Sequence, residues 1–218
     1  MQILVFGDSI VYGAWDKDGG WVQRLRRYLE RKIDLVNLSA SDVDYLVFNL
    51  GIGGNTSDDV LKRFDSETKP RLMQDEEATL IILEIGGNDA SVDVATGKNR
   101  TPLNKFEQNV REIINLARAY TQNILVMGPV PCNDSITAEK LKFSPSLALR
   151  NSDQIKYNDA IKKVCKEQKV DFISLFDKFS KLDYEKLLLD GAHPNSKGHR
   201  KIFSIVKSYL MKKELLKN

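Results

Sequence analysis

The sequence is poor in the residues that build metal centres and disulfide scaffolds. It contains two cysteines and two histidines among 218 residues, and the spacing of Cys132 and Cys165 fits no metal-binding motif. No stretch approaches the roughly 18 apolar residues that a membrane-spanning helix needs, and no signal-peptide pattern opens the chain. We therefore expect no metal, no cofactor, no stable membrane insertion and a cytoplasmic location.

Charge of one sign is also scarce. Lys and Arg number 33 and Asp and Glu number 30, which gives a net charge of +3. A nucleic-acid partner is not expected at so small an imbalance. The composition, with 42% hydrophobic and 29% charged residues, is that of a globular protein and excludes a disordered chain. The length predicts a single domain over residues 1–218 with a full apolar core.

Short apolar runs recur along the chain between longer stretches. Each has four to six residues rich in Val, Ile, Leu and Phe, which is typical of parallel strands buried on both faces. The five runs are Ile3–Phe6, Tyr45–Leu50, Leu80–Ile85, Ile124–Met127 and Phe172–Phe176.

The stretches between these runs have apolar residues at helical spacing. The predicted buried helix faces are Trp21, Leu25, Tyr28 and Leu29; Val60, Leu61 and Phe64, with a break near Pro70; Phe106, Val110, Ile113, Ile114 and Ala117; Ile155, Ala160, Ile161 and Val164; and Ile202, Ile205, Val206, Tyr209 and Leu210. Alternating strands and helices predict a doubly wound α/β domain. In such sheets ligands bind beyond the carboxyl ends of the strands, so the residues directly after each run are the candidates for chemistry.

Gly7-Asp8-Ser9-Ile10 follows the first run. Ser9 has two interpretations at this point. Serine is a common N-cap where a strand turns into a helix, and taken alone this interpretation is favoured. The alternative is a nucleophile whose hydroxyl is presented at the start of a helix.

Glycine-rich turns follow the second and third runs. Gly51 and Gly53 resemble the start of a dinucleotide fingerprint, but Thr56 stands where its third glycine belongs. These turns are therefore either flexible entries into helices or places where a backbone amide faces an anion. Asn88, after the third run, is either a turn former or a neutral donor for a developing oxyanion.

The two histidines lie close together near the C-terminus. Asp190 precedes His193 by three residues in a turn that ends at Pro194. This spacing lets the carboxylate bind one ring nitrogen and leave the other free to act as a base. A lone histidine is nevertheless more often structural than catalytic. For His199 the interpretation is a solvent-facing residue of the last helix.

Four blocks in this order resemble those of the SGNH hydrolases, also called GDSL-type esterases and lipases. The blocks are Gly7-Asp8-Ser9-Ile10, the region Asn49-x-Gly51-x-x-Gly54, Gly86-x-Asn88-Asp89 and Asp190-x-x-His193. They run from residue 7 to residue 193, so the resemblance covers nearly the whole chain. The first block ends in Ile where the family usually has Leu, an apolar exchange that should matter little.

This resemblance implies a three-layer α/β/α fold of flavodoxin-like type with a five-stranded parallel sheet. It implies that Ser9 is the nucleophile, His193 the base and Asp190 the residue that orients His193. The oxyanion hole would combine the Ser9 amide, the Gly54 amide and the Asn88 side chain. The implied chemistry needs neither a metal nor a cofactor.

The implied function is a serine esterase that hydrolyses small carboxylic esters through an acyl-enzyme. One alternative is a carbohydrate O-acetyl esterase or lysophospholipase of the same family. A second, from another class, is a catalytically inactive flavodoxin-like binding protein. The expected partner is a small-molecule ester, and the sequence leaves the oligomeric state open.

Three segments are candidates for substrate contact. Residues 129–147 form either a lid or binding loop, or a short helix packed on the core. Tyr12 and Trp15, just after the proposed nucleophile, either line an acyl or sugar pocket or are buried under the first helix. The loop Ala90–Pro102 begins just after Asn88 and is expected to border the site.

Overall fold

A computed structural model of the protein describes residues 1–31, 45–72 and 79–216. Seven strands and nine α-helices lie in these ranges. The strands are β1 (Gln2–Gly7), β2 (Leu46–Gly51), β3 (Thr79–Glu84), β4 (Val92–Asp93), β5 (Asn123–Met127), β6 (Leu147–Ala148) and β7 (Asp171–Ile173). The helices are α1 (Ser9–Tyr12), α2 (Gly20–Glu30), α3 (Ser57–Thr68), α4 (Gly87–Ala90), α5 (Leu103–Arg118), α6 (Asp134–Thr137), α7 (Asn151–Gln168), α8 (Leu175–Phe179) and α9 (Ser196–Lys212).

Five of the strands form one parallel sheet in the order β2-β1-β3-β5-β7. Counting only these five in chain order gives 2-1-3-4-5, the flavodoxin-like arrangement. The predicted five-stranded α/β fold is therefore confirmed. Gly7 pairs with Gly51 on one side and with Glu84 on the other, so the carboxyl ends of three strands meet at one edge. β4 and β6 form a separate antiparallel pair.

Helices cover both faces of this sheet. Side chains alternate along β1, so Leu4 and Phe6 point to one apolar core while Ile3 and Val5 point to the other. The first core contains the apolar faces of α3, α5 and α7. The second contains those of α2 and α9. The result is three layers around a central sheet, as the sequence predicts.

Three details of the predicted elements are wrong. The run Phe172–Phe176 is a strand only to Ile173, because Ser174 accepts a hydrogen bond from the Asp177 amide at 2.9 Å and starts α8. β2 is only partly buried, since it is an edge strand of the sheet. Ile155 is 42% exposed, and the buried face of α7 instead includes Tyr157.

The interpretation of His199 as solvent-facing is also wrong. Its ring is fully buried, because it lies three residues before Ile202 on the face of α9 that packs against α2. Burial is the main reason that its pKa falls to about 4, although Asp16 and the Ala14 backbone act in the opposite direction. His199 is therefore uncharged at neutral pH.

Among the described residues, no helix is both long and apolar enough to cross a membrane.

Candidate active site

The carboxyl edge of the sheet opens into a cleft of about 1450 Å³. Ser9 reaches it from α1 directly after β1, and Asn88 reaches it from α4 after β3. Gly54 lies in the turn after β2, and His193 lies in the loop before α9. The topology thus brings together residues that are far apart in the chain, as the carboxyl-edge rule for parallel sheets predicts.

Glycines at the carboxyl ends of β1 and β2 let the short helix α1 lie directly on the strands. A Cβ atom at Gly7 would lie 2.4 Å from Val11 Cγ2, and one at Gly51 would lie 2.2 Å from the Tyr12 nitrogen. Asn49 then holds the helix, because its Nδ2 donates to the Val11 carbonyl at 2.9 Å. Any larger residue at either glycine would push α1, and Ser9 with it, away from the sheet.

Ser9, His193 and Asp190 form a continuous chain of hydrogen-bonding groups. Ser9 Oγ lies 2.9 Å from His193 Nε2, and Asp190 Oδ2 lies 2.8 Å from His193 Nδ1. Asp190 Oδ1 also accepts from the backbone amides of Ala192 and His193. Burial would raise the pKa of Asp190, but these bonds outweigh it and lower the pKa to about 2. Asp190 is therefore a carboxylate at neutral pH and accepts the Nδ1 proton.

Two aromatic rings contact His193 from different loops. The Phe143 ring centroid lies 4.8 Å from that of His193, and the Trp15 ring meets it edge-on at 6.0 Å. Trp15 Nε1 lies 3.2 Å from His193 Nδ1. An imidazole nitrogen that donates to Asp190 has no lone pair left to accept from the indole, so the Trp15 contact is one between rings.

Asn88 lines the same cleft as Ser9, and hydrogen bonds fix the orientation of its side chain. Its Nδ2 donates to Asp8 Oδ2 at 2.9 Å, and its Oδ1 accepts from Arg100 Nη1 at 3.4 Å. Arg100 Nη1 also donates to the Gly54 carbonyl at 3.2 Å. A primary amide carries two N–H donors, so Asn88 keeps one for a ligand. Gly54 itself has a φ of 79°, a conformation that glycine adopts readily.

Two buried carboxyl groups lie beneath this arrangement. Asp8 accepts from the Ile10 amide at 2.8 Å and so caps α1. Burial raises the pKa of Asp8 to about 6. Burial, and then the charge of Asp8, raise the pKa of Glu84 well above its usual range. Asp8 therefore supports the turn that carries Ser9.

The structure answers the questions that the sequence leaves open around the cleft. Tyr12 and Trp15 line it and are exposed, so neither is buried under a helix. Segment 129–147 contains both the short helix α6 and the cleft-lining residue Phe143. Cys132 is buried and its thiol pKa rises through burial to about 12, in keeping with a packing role.

Arg100 is the cleft residue that the sequence reasoning missed. The available signal was its place in the loop Ala90–Pro102, which begins directly after Asn88. A single arginine in a loop carries no motif, so only the fold shows that it reaches both Gly54 and Asn88. Within residues 1–31, 45–72 and 79–216, no group of three or more His, Cys, Asp or Glu side chains is arranged to hold a metal ion.

Comparison with known families agrees with this geometry. The model of the GDSL-like lipase/acylhydrolase family matches residues 5–201, which is most of the chain. The chain belongs to this family. It is therefore an enzyme of the carboxylic ester hydrolase class, and the resemblance seen in the four sequence blocks is confirmed.

Relatives of this GDSL-family chain include two proteins named as isoamyl acetate-hydrolysing esterases. The homologue from Bos taurus is 27% identical over 213 residues, covering 93% of this chain and 78% of that protein. The Saccharomyces cerevisiae esterase is 28% identical over 212 residues, covering 91% and 81%.

Solved structures show the same fold. A lipase/acylhydrolase from Enterococcus faecalis superposes with a TM-score of 0.71 at 19% identity, covering 97% of this chain and 96% of that one. An acetyl xylan esterase superposes with a TM-score of 0.72 at 22% identity, covering 96% and 100%. At such identities the likeness concerns the fold alone.

Proposed function

We propose that this GDSL-family enzyme hydrolyses small carboxylic esters with Ser9 as nucleophile, His193 as base and Asp190 as the residue that orients His193. The observation that carries this proposal is the chain of contacts at 2.9 Å and 2.8 Å joining the three side chains. In the first half-reaction, Ser9 Oγ bonds to the ester carbonyl carbon while His193 Nε2 accepts the hydroxyl proton. Ionised Asp190 stabilises the imidazolium that results.

The oxyanion formed by this attack needs donors on the side of Ser9 opposite His193. The Ser9 amide, the Gly54 amide and the free N–H of Asn88 Nδ2 take this role. Asp8 and Arg100 orient the Asn88 amide, because Asp8 accepts from its Nδ2 and Arg100 donates to its Oδ1. Loss of one oxyanion donor typically reduces the rate about 10²- to 10³-fold.

The second half of the cycle releases both products. His193 passes its proton to the leaving alcohol oxygen, which leaves an acyl group on Ser9. Water then attacks this acyl-enzyme while His193 accepts a proton from it, and the bond to Ser9 Oγ breaks as His193 passes that proton to Oγ and the carboxylic acid departs. The two relatives named for isoamyl acetate hydrolysis support a short-chain ester rather than a sugar ester or lysophospholipid.

The decisive experiment compares wild type with Ser9→Ala on p-nitrophenyl acetate, butyrate and octanoate. We expect measurable hydrolysis of the short esters and a loss of at least about 10³-fold in kcat for Ser9→Ala. Ser204→Ala, on an exposed position of α9, is the matched control and should keep wild-type rates.

A covalent measurement complements the rates. A fluorophosphonate should add one phosphonyl group to wild type, located at Ser9 by peptide mass spectrometry, and none to Ser9→Ala. Equal hydrolysis by wild type and Ser9→Ala would remove Ser9 from the chemistry. An unreactive wild type in both assays would favour the alternative of an inactive binding protein.

A further inference from the structure

The position of His193 determines where the alcohol half of an ester must lie. His193 Nε2 lies 2.9 Å from Ser9 Oγ, and in the proposed function the same nitrogen protonates the leaving oxygen. The alcohol half must therefore extend from Ser9 toward His193, away from Asn88 and Gly54. Side chains that surround the His193 ring on the cleft side are the ones that meet this half of the substrate.

Two large aromatic side chains occupy that side and remain exposed. Trp15 is 59% exposed and Phe143 is 47% exposed, although both contact the His193 ring. They come from loops 128 positions apart in the chain, so local sequence does not explain their convergence. Exposed apolar surface gathered at a cleft is typical of a ligand-binding surface.

Hydrogen bonds of the next residue, Asp16, fix the loop that carries Trp15. Its φ of 64° is in the left-handed region, which is unusual for a bulky residue and persists only where the surroundings impose it. The buried carboxylate of Asp16 pairs with Arg24 and accepts from the Gly20 amide at 3.1 Å. Arg24 in turn donates to Ser196 Oγ at 2.9 Å, which ties the loop to α9.

Apolar side chains also line this cleft. Leu141, Leu149 and Ala192 belong to one small buried cluster, Leu147 packs against it, and all four line the cleft. Next to the proposed oxyanion donors the cleft lining includes the polar side chains of Asn88 and Arg100. The cleft lining is therefore mixed: the apolar cluster adjoins His193 through Ala192, whereas Lys17 and Arg27 are charged residues that also line the cleft.

We propose that Trp15 and Phe143, together with the cleft-lining residues Leu141, Leu147, Leu149 and Ala192, form a subsite for an apolar aliphatic alcohol. This subsite rests on the proposed function and names the leaving half of its substrate. A sugar ring can stack its C–H face on an exposed aromatic ring, but hydroxyl groups that it buries against the leucine side chains without hydrogen-bond partners are costly. An alkyl chain gains up to about fourfold in binding for each methylene it buries.

The test varies the alcohol and keeps the acyl group constant. Methyl, n-butyl and 3-methylbutyl acetate are compared with per-acetylated xylose by titrating the acetic acid released. For wild type we expect kcat/KM for 3-methylbutyl acetate to exceed that for methyl acetate at least about tenfold, with the xylose ester below both per acetyl group.

Phe143→Ala should reduce this tenfold preference to less than about threefold. Trp15→Asn should act in the same direction, and asparagine tolerates the left-handed backbone that the loop requires. Met211→Ala is the matched control, since Met211 is 44% exposed on α9 and lies outside the cleft lining. Thermal unfolding of each variant identifies any that fails to fold.

The outcomes separate the subsite from the reaction. A wild type that hydrolyses all the acetates equally, or prefers the xylose ester, would overturn the apolar subsite while leaving Ser9 chemistry intact. If both Phe143→Ala and Trp15→Asn kept the full preference for 3-methylbutyl over methyl acetate, the assignment of Trp15 and Phe143 to the subsite would be overturned. Undiminished activity of Ser9→Ala on the same esters would instead overturn the proposed function.

Discussion

His193 and His199 lie only six positions apart but have different surroundings. His193 borders the cleft and bonds Asp190. His199 faces the interior, where Asp16 and Arg24 lie near it. Burial favours the neutral imidazole and lowers the pKa of His199 from its ordinary 6.5 to about 4. The folded chain therefore binds fewer protons at this site than the unfolded chain does at mildly acidic pH.

This difference predicts an acid-dependent loss of stability. Because the pKa of His199 is lower in the folded state, its contribution is fully present above pH 6.5 and is lost as the pH falls from 6.5 toward 4. A shift from 6.5 to 4 corresponds to about 3 kcal/mol. Between pH 6.5 and pH 4 the free energy of unfolding should therefore fall by about 3 kcal/mol less in His199→Gln than in the wild type.

The measurement is urea unfolding of both proteins from pH 7.5 to pH 4. The quantity compared is the change with pH, so a constant loss of stability in His199→Gln does not affect the result. Parallel curves for wild type and variant would show that His199 is not the group responsible.

At the scale of elements, Asp89 joins three helices. It belongs to α4, and its carboxylate accepts from the Ser57 amide at 3.0 Å and from Ser57 Oγ at 2.6 Å at the start of α3. Asn109 of α5 donates to the same hydroxyl at 2.9 Å. The adjacent residue Asn88 therefore takes its position from a buried contact between helices.

Replacing Asp89 should separate these helices. Asp89→Ala leaves the buried amide and hydroxyl of Ser57 without this acceptor, and we expect the free energy of unfolding to fall by about 2–4 kcal/mol. The control is Asp58→Ala, which removes a carboxylate from the first turn of α3 itself. It should lower the free energy of unfolding by less than about 1 kcal/mol. Equal losses in chemical denaturation would show that helix-terminus charge, rather than the buried contact, is what matters.

At the scale of the whole molecule, both cores share one sheet. β1 supplies Leu4 and Phe6 to one core and Ile3 and Val5 to the other. Neither layer of helices can lose its packing without exposing one face of the same strands. A single domain over residues 1–218 stays a prediction from the length of the chain.

Such coupling predicts one cooperative unfolding transition. In scanning calorimetry the calorimetric and van't Hoff enthalpies should agree, and fluorescence and circular dichroism should report the same midpoint. Two resolved transitions, or midpoints that differ between the probes, would indicate that the layers unfold separately and would contradict the single domain.

Local patterns in the sequence were enough to determine much of this protein. Strands such as β1 and β3 and the faces of α5 and α9 follow from side-chain periodicity, which depends on neighbouring residues alone. The four blocks name Ser9, Gly54, Asn88, Asp190 and His193, and the rule that ligands bind at strand ends predicts one common edge. These inferences need no knowledge of how distant segments pack.

Tertiary structure decided what depends on distant contacts. The contact between Ser9 and His193 spans 184 positions, and only the fold sets its length. Helical spacing placed Ile155 inside and left His199 outside, yet packing against the neighbouring layers reversed both. Trp15, Phe143 and Arg100 carry no motif and acquire their places around the cleft from loop geometry. The physical reason is that burial and proximity are properties of the packed chain, whereas periodicity is a property of a short segment.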